Sequence, residues 1–400
     1  MTSKWKIYRI KDVLSYVVDN RGKTPPIQDE GFELLEVNAI SATEKFPQYQ
    51  LVRKHVSEHV YNTWFRSGHP QIGDILVPTV GTLGAVSYVN KDNCCIAQNL
   101  IALRANKDIC DCDYLYYILR NPNTRKRLLN LNIGGVQPSI KVPHLMELEI
   151  TLPDIDTQRK ISNILKAIDD KISTNQKIND NLYAQARAIT NQWITENDSD
   201  YELLPLSEVA VISTDTYSPK EEWKYVNYLD TSSITDGCIA EIQRISPSAE
   251  KLPSRARRKI VSNDVVFSTV RPNQRHFGII SEPLPNMLAS TGFAVIRSKN
   301  PLVCNELIYL CLTDDAFIEK MQQLAEQSTS TFPSIKPSDL GVCEIPCPKD
   351  DSSSSLTETL KAMFSLIAAN HRENASLAEL RDSLLPRLMS GEIDVSDIQI

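Results

Sequence analysis

Between Asp156 and Thr195, apolar residues and asparagines recur in alternating steps of four and three: Ile161, Leu165, Ile168, Ile172, Asn175, Asn179, Leu182, Ala186, Ile189 and Trp193. A step averaging about 3.5 residues keeps one stripe turned toward a partner helix, so the stretch predicts a coiled-coil seam sustained for more than four heptads. A helix of about 39 residues would be roughly 58 Å long. The stripe returns 195 residues later at Leu356, Leu360, Met363, Ile367, Asn370, Asn374, Leu377, Arg381, Leu384 and Leu388. Arg381 alone departs from it, and Leu380 can shift the apolar stripe by one position. Polar residues at seam positions cost stability and fix register or partner. Packed antiparallel, Asn175 and Asn179 would meet Asn374 and Asn370 in one polar layer; a rotated helix would instead turn them to solvent. Unbroken spacing on both sides, in both copies, favours the layer.

The segments ahead of the two helices switch to shorter apolar runs punctuated by Gly, Pro and Asn, the signature of strands with interspersed helices. In the first, residues 32–40, 74–80 and 96–104 are predicted strands, and 113–119 and 123–131 predicted helices. In the second, 224–229, 264–270 and 292–297 are strand-like, and 305–312 and 316–324 helical. The order is the same in both. Gly73-Asp74-Ile75-Leu76-Val77 matches Asn263-Asp264-Val265-Val266-Phe267, and Pro138-Ser139-Ile140-Lys141 recurs as Pro333-Ser334-Ile335-Lys336. The offset drifts from 190 to 195 between these landmarks, so loops differ while the frame is kept. The expected fold is α+β (mixed): two similar α/β domains joined by two long antiparallel helices forming a coiled coil, a pseudo-twofold internal repeat. The boundaries are 1–152, 153–197, 198–348 and 349–400.

Composition adds limits. Four hundred residues with 42% hydrophobic content suit several cored domains. No apolar run approaches the ~20 residues of a membrane span, and the N-terminal residues lead into no apolar signal core, so a cytoplasmic chain is expected. The nine cysteines match no common zinc frame, which fits reduced thiols. The net charge of −7 argues against a free-standing nucleic-acid binder. It divides unevenly, however: +3 over 1–150, −2 over 151–200, −4 over 201–348 and −4 over 349–400. The acidic helices therefore suit protein partners. Basic clusters persist at Arg53-Lys54-His55, Arg125-Lys126-Arg127, Arg255-Ala256-Arg257-Arg258-Lys259, and Arg271 with Arg275-His276.

Catalytic motifs are mostly missing. Gly22-Lys23-Thr24 imitates the end of a phosphate loop, but Val17 stands where that pattern needs glycine, and Pro25 would interrupt the following helix. An exposed loop is the simpler reading. His55-Val56-Ser57-Glu58-His59 fits a metalloprotease string without a third-ligand motif, and a solvated helix start explains it better. No glycine fingerprint of a cofactor fold, no Asn-Pro-Pro or Asp-Pro-Pro stretch for methyl transfer, and no nuclease carboxylate cluster is found. Turns rich in glycine and hydroxyls are better suited to phosphate or base contacts: Thr79 to Gly84, Gly134 to Ser139, and Ser328 to Ser334.

Two helical motifs carry a resemblance. Leu152-Pro153-x4-Gln158-Arg159-Lys160-Ile161 and the residues after it look like the central conserved region of the specificity (S) subunit of type I restriction–modification systems. Leu380-Arg381-Asp382-Ser383-Leu384-Leu385-Pro386-Arg387-Leu388-Met389-Ser390-Gly391-Glu392-Ile393 resembles that family's C-terminal ending. The second helix departs in its opening, which carries Asp350-Asp351 and four serines in place of the Pro…Gln-Arg-Lys-Ile signature. The resemblance implies a non-catalytic subunit. Its two target-recognition domains (1–152 and 198–348) would each read half of a split double-stranded DNA target. The helices would set the half-site spacing and dock methyltransferase subunits, two being expected. Endonuclease/translocase subunits would join the full complex. S-adenosylmethionine, ATP and Mg would reside on partners, with no cofactor or metal in this chain.

DNA contacts are expected from Arg21, Lys23, Thr79, Gln137, Ser139 and Lys141 in the first domain. In the second they are expected from Arg271, Asn273, Arg275, Thr329, Ser334 and Lys336. Two unequal readers on one chain should favour an asymmetric target, because an exact dimer would demand a palindrome. Two competing readings are a bilobed protein–protein scaffold without DNA readout and a metalloenzyme built on His55 and His59.

Overall fold

The computed structural model describes residues 5–400 apart from 136, 197–198, 214, 329–331, 351–352, 397 and 399–400. The chain forms two compact units. One joins Met1–Thr174 to Asn374–Ile400, and the other is Asn175–Glu373. Each therefore combines a mixed α/β domain with one half of each long helix, Ile155–Glu196 and Ser354–Met389.

In the first unit, an antiparallel sheet runs in the order Leu14–Val18, Leu100–Ala105, Ile75–Pro78, Ser87–Tyr88. The run Ile75-Leu76-Val77 is apolar throughout because both of its faces are covered. Ile75 and Val77 point with Ile101 and Leu103 into a core shared with the helix Cys112–Arg120 and with Leu165, Leu385 and Leu388. Leu76 and Ala102 face a second core with Leu35, Ile96 and Val18. A smaller sheet sets Phe32–Leu35 parallel to Cys94–Ile96 and antiparallel to His55–Val56. Lys6–Arg9 pairs with Glu149–Leu152, fastening the start of the domain to its end.

The second unit repeats this frame. Its sheet runs Ala210–Ile212, Phe293–Ser298, Asp264–Ser268, Phe277–Ile280. Val265 and Phe267 face a core with Leu307, Leu360 and Phe364, while Val266 and Val295 face one with Leu229 and Met287. Val226–Leu229 lies parallel to Met287–Ser290, and Tyr201–Pro205 pairs with Glu344–Pro348. An extra hairpin, Ile234–Thr235 with Cys238–Ile239, is added here.

Several predicted elements need correction. The expected strand 32–40 stops at Leu35 and gives way to a 3-10 turn, Val37–Ala39. The expected strand 96–104 is two strands, with the Ala97 N–H turned onto Leu35 O at 2.9 Å at the break. His55 sits on a strand while His59 lies on the helix Glu58–Trp64, which Ser57 caps by accepting from Val60 N–H at 3.2 Å. The two imidazoles share no helix face, and the metalloenzyme reading loses its geometry.

The helix Ile155–Glu196 starts one residue before the predicted segment. Asp154 accepts from Thr157 N–H at 2.9 Å, and the amide of Gln158, itself buried, donates to Pro153 O and Ile109 O while its carbonyl accepts from Asp111 N–H. Gln158 thus locks the helix start to the domain ahead of it. Within each unit the helix halves run antiparallel. In the first, Arg381 reaches Asp169 at 2.8 Å and Asn374 donates to Ile172 O at 3.4 Å. In the second, buried Asn370 donates to Asn179 at 2.7 Å and Asn175 donates to Glu373 at 2.7 Å. Asn179 with Asn370 is one of the two contacts expected of the polar layer; Asn175 donates to Glu373, a carboxylate that the seam pattern did not mark. Among the described residues no helix is long and apolar enough to cross a membrane.

Candidate nucleic-acid interface

The repeated Pro-Ser-Ile-Lys is a docking strip for the turn after each central strand. In the first domain Ser139 bridges Val80, Gly81 N–H donates to Pro138 O at 2.9 Å, and Ile140 N–H donates to Thr79 O at 2.8 Å. In the second, Ser334 bridges Val270, Arg271 N–H donates to Pro333 O at 2.9 Å, and Ile335 N–H donates to Thr269 O at 2.8 Å. Ile140 and Ile335 are buried plugs into the domain cores, which is why isoleucine stands in both copies. Lys141 and Lys336 are exposed and stand at the N-cap positions of the short helices Val142–Met146 and Pro337–Gly341, without a side-chain capping bond. A helix and a strand follow each strip, so it lies inside the domain frame and not at a joint with the long helix.

The two turns differ in what they hold up. Gly81 and Gly84 take positive φ in the first domain, +87° and +78°. Arg271 and Arg275 take it in the second, +48° and +58°, in a turn one residue longer. The Arg271 guanidinium lies over the Phe332 ring at 4.8 Å. Both line a cleft of about 550 Å³ with Asp230, Arg255, Gln274, His276 and Ser334. Arg275 is turned away from service: its guanidinium holds Asp236 at 2.6 Å and Asp315 at 2.7 Å. Hydrogen bonding to Asp236 raises Arg275 above the ordinary arginine value, and Arg275 in turn holds the Asp315 carboxyl below its usual range.

The remaining expected contacts divide by exposure. Thr79 is a correction. It is buried, with its N–H at 2.8 Å and its hydroxyl at 3.2 Å from Asn99 O, so it closes the strand end and has no surface to offer a base. Gln137 is exposed and Ser139 half-buried. Arg21 and Lys23 sit on an exposed loop tied down by Asn20 to Gly68 O at 2.9 Å. There Arg21 is gripped by both Asp19 oxygens at 2.7 Å, a pairing that raises its pKa and lowers that of Asp19. Asn273 is exposed, its N–H donating to Gln322 at 3.3 Å. Thr329 lies outside the described residues.

Residue-by-residue reading missed the cleft's Asp230, Gln274 and Phe332. It noted Arg255 and His276 only as members of basic clusters. Phe332 carried a usable signal, being the one aromatic in a Ser/Thr-rich turn, and it is 54% exposed. The basic run 255–259 disperses on its strand. Arg258 donates to Ser213 O at 2.6 Å and Lys259 pairs with Glu221 at 2.9 Å, leaving Arg255 to the cleft.

These two frames, each ending its central strand in a turn docked by the same tetrapeptide, define a two-domain repeat protein. Residues 2–184 match the family model of the type I restriction modification DNA specificity domain. The chain is 23% identical over 399 residues to the HindI specificity subunit of Haemophilus influenzae, covering 80% of this chain and 86% of that one. It is 21% identical over 431 residues to the MjaVIII specificity subunit of Methanocaldococcus jannaschii, covering 98% and 94%. A crystal structure of the type I restriction-modification S subunit from M. genitalium shares the fold at a TM-score of 0.55, with 17% identity over 97% of this chain and 96% of that one. The resemblance carried by the helical motifs is borne out: the first part of the chain matches the specificity-domain family, and the chain along most of its length is similar to specificity subunits of type I restriction–modification systems.

Proposed function

We propose that this chain is the DNA-reading subunit of a type I restriction–modification complex, each domain reading one half of an asymmetric two-part target. One observation carries the proposal: a single frame, built twice and docked twice by the same tetrapeptide, presents turns of opposite character, two glycines in one copy and two arginines in the other. Equal frames with unequal loops suit two different half-sites. The specificity-domain match supports DNA over a protein–protein scaffold. The long helices are the proposed spacer and docking site for two methyltransferase subunits. Methyl transfer from S-adenosylmethionine, and ATP- and Mg-dependent translocation and cleavage, belong to partners in this reading.

Sequencing methylated genomic DNA from a host expressing this chain with its methyltransferase partner is the direct test. The expected result is one motif with two unlike half-sites and a fixed gap. A palindromic motif, or no motif, overturns the proposal. Removing one heptad from each long helix should shorten the gap and leave both half-site sequences intact; an unchanged gap rejects the spacer role.

A further inference from the structure

We propose that Arg271 reads a guanine, within a G·C pair, in the half-site served by the second domain. The inference rests on the DNA-reading proposal and names the base chemistry of one of its surfaces. Its first support is conformational. Arg271 has φ +48° and ψ +67° and precedes Pro272. The left-handed region is unfavourable for a residue bearing a Cβ, and a following proline restricts the backbone further. Such a conformation persists only where the surroundings hold it, and Arg271 is held by its N–H on Pro333 O and by the proline after it. The same hydrogen bond is made in the first domain by Gly81, which takes this region without penalty. Arginine is therefore not needed to build the turn; what it adds is its side chain.

The second support is the state of that side chain. Several guanidiniums of the second domain are spent on the protein itself: Arg275 on Asp236 and Asp315, Arg297 on buried Asp264, Arg258 on Ser213 O; Arg255 shares the cleft with Arg271. The Arg271 guanidinium makes no hydrogen bond or ion pair among the described residues, and instead lies over Phe332, 4.8 Å from the ring centroid. Packing over the ring restrains the side chain, so less freedom is lost on binding.

A planar fork fits either a phosphate or the O6/N7 edge of guanine. The cleft decides between them. Asp230 lines it beside Arg271, its oxygens accepting from Tyr228 at 2.8 Å and Ser232 at 3.2 Å with lone pairs remaining. A phosphate offers only acceptors, which Arg271 and Arg255 on this cleft could meet but Asp230 could not. A G·C pair, however, offers acceptors on guanine and the N4 donor on cytosine, a mixed edge that Arg271 and Asp230 together complement. The first domain, with Gly81 at this position, has no counterpart to that arginine.

The test compares the assembled methyltransferase complex carrying wild-type chain, Arg271→Ala, Arg271→Lys or Arg271→Gly, by methylation sequencing and by binding to the wild-type target over a salt series. For Arg271→Ala, one G·C position in one half-site becomes degenerate, the other half-site and the gap stay fixed, and affinity for the target falls roughly 5- to 150-fold. Arg271→Lys keeps the charge but loses the fork, so it should behave like the alanine variant. Arg271→Gly should be at least as thermally stable as wild type, because it relieves the backbone, yet equally degenerate; this separates reading from folding. Full rescue by lysine, or a loss that is uniform across sequences with the salt slope lowered by about 0.9, would identify a phosphate contact and overturn the proposal. An unchanged motif in every variant also overturns it. Absence of any two-part motif with wild-type chain refutes the DNA-reading proposal itself, and this inference with it.

Discussion

Comparing the two domains separates what the frame requires from what each copy does with it. At the turn after the central strand, Gly81 and Gly84 in the first domain stand where Arg271 and Arg275 stand in the second, all four with positive φ. The backbone hydrogen bonds to the docking strip are the same. The long-helix seam shows a parallel divergence. Asp169 and Arg381 pair inside the first unit, both nearly buried, and Tyr117 donates to the same carboxylate at 2.6 Å. Shifting each by the repeat length gives Phe364 and Ala186, which sit together in the second unit's core, with Tyr309 edge-on to Phe364. One position pair is solved by an ion pair in one copy and by apolar packing in the other. The departure of Arg381 from the seam is thus a paired substitution. Its pKa is raised because Asp382 and Asp169 outweigh the lowering effect of burial.

The seam comparison yields the largest expected effect. Arg381→Ala leaves Asp169 buried with Tyr117 as its remaining partner in that cluster, and should cost about 3–5 kcal/mol of stability in chemical denaturation. Combining it with Asp169→Phe imports the other copy's solution, since Tyr117 can then pack edge-on as Tyr309 does. Replacing both partners of a buried pair is often neutral, so the double variant should recover to within about 1 kcal/mol of wild type. A double variant as unstable as the single one would break the equivalence of the two seams.

A smaller and more symmetric effect is expected at the paired carboxylates. Buried Asp74 takes Arg104 at 2.9 and 2.8 Å and Gln71 N–H at 2.9 Å; buried Asp264 takes Arg297 at 2.7 and 2.8 Å and Val261 N–H at 2.8 Å. Each ties the start of a central strand to its neighbour. Because the arginines keep partial solvent access, Asp74→Ala and Asp264→Ala should each cost about 2–3 kcal/mol in urea denaturation. Arg297 is the more exposed partner, 38% against 25%, so the second loss should be slightly the smaller. A difference above about 1 kcal/mol would show that the frames are not energetically alike.

How much of this was legible in the sequence depended on range. The seam and the Asp-led central strands are local patterns, and each landed on the element predicted; the tetrapeptide was legible as a repeat, but its place inside the domain frame, against the turn after the central strand, was not. The edge strands Leu14–Val18 and Phe277–Ile280 escaped because one exposes Ser15 and Tyr16 and the other contains Gly278, which weakens any strand signal. The closures of Lys6–Arg9 on Glu149–Leu152 and of Tyr201–Pro205 on Glu344–Pro348 join residues far apart in sequence, beyond the reach of periodicity. The cleft escaped for the same reason: it gathers residues 230–232, 255, 270–271, 274, 276, 332 and 334. Thr79 was misplaced because composition cannot show that its hydroxyl points to Asn99 O.

The smallest expected effect sharpens the turn comparison from the other side. If the two turns share one backbone, arginine should be tolerated in the first domain at the position where the second already carries it. A Cβ added at Gly81 would have only Val37 Cγ1 near it, at 3.6 Å, an ordinary contact. At Gly84 it would meet Arg125 Cγ at 3.0 Å, so that position is the tighter of the two. Gly81→Arg should therefore cost only the left-handed backbone term, about 1–2 kcal/mol in denaturation, with Gly84→Arg costing more until Arg125 moves aside. The Gly81 N–H bond to Pro138 O is backbone and survives the change. A loss above about 3 kcal/mol for Gly81→Arg would mean that the second domain holds its arginines in a turn the first cannot form, and the two readers would then differ in their scaffold as well as in their side chains.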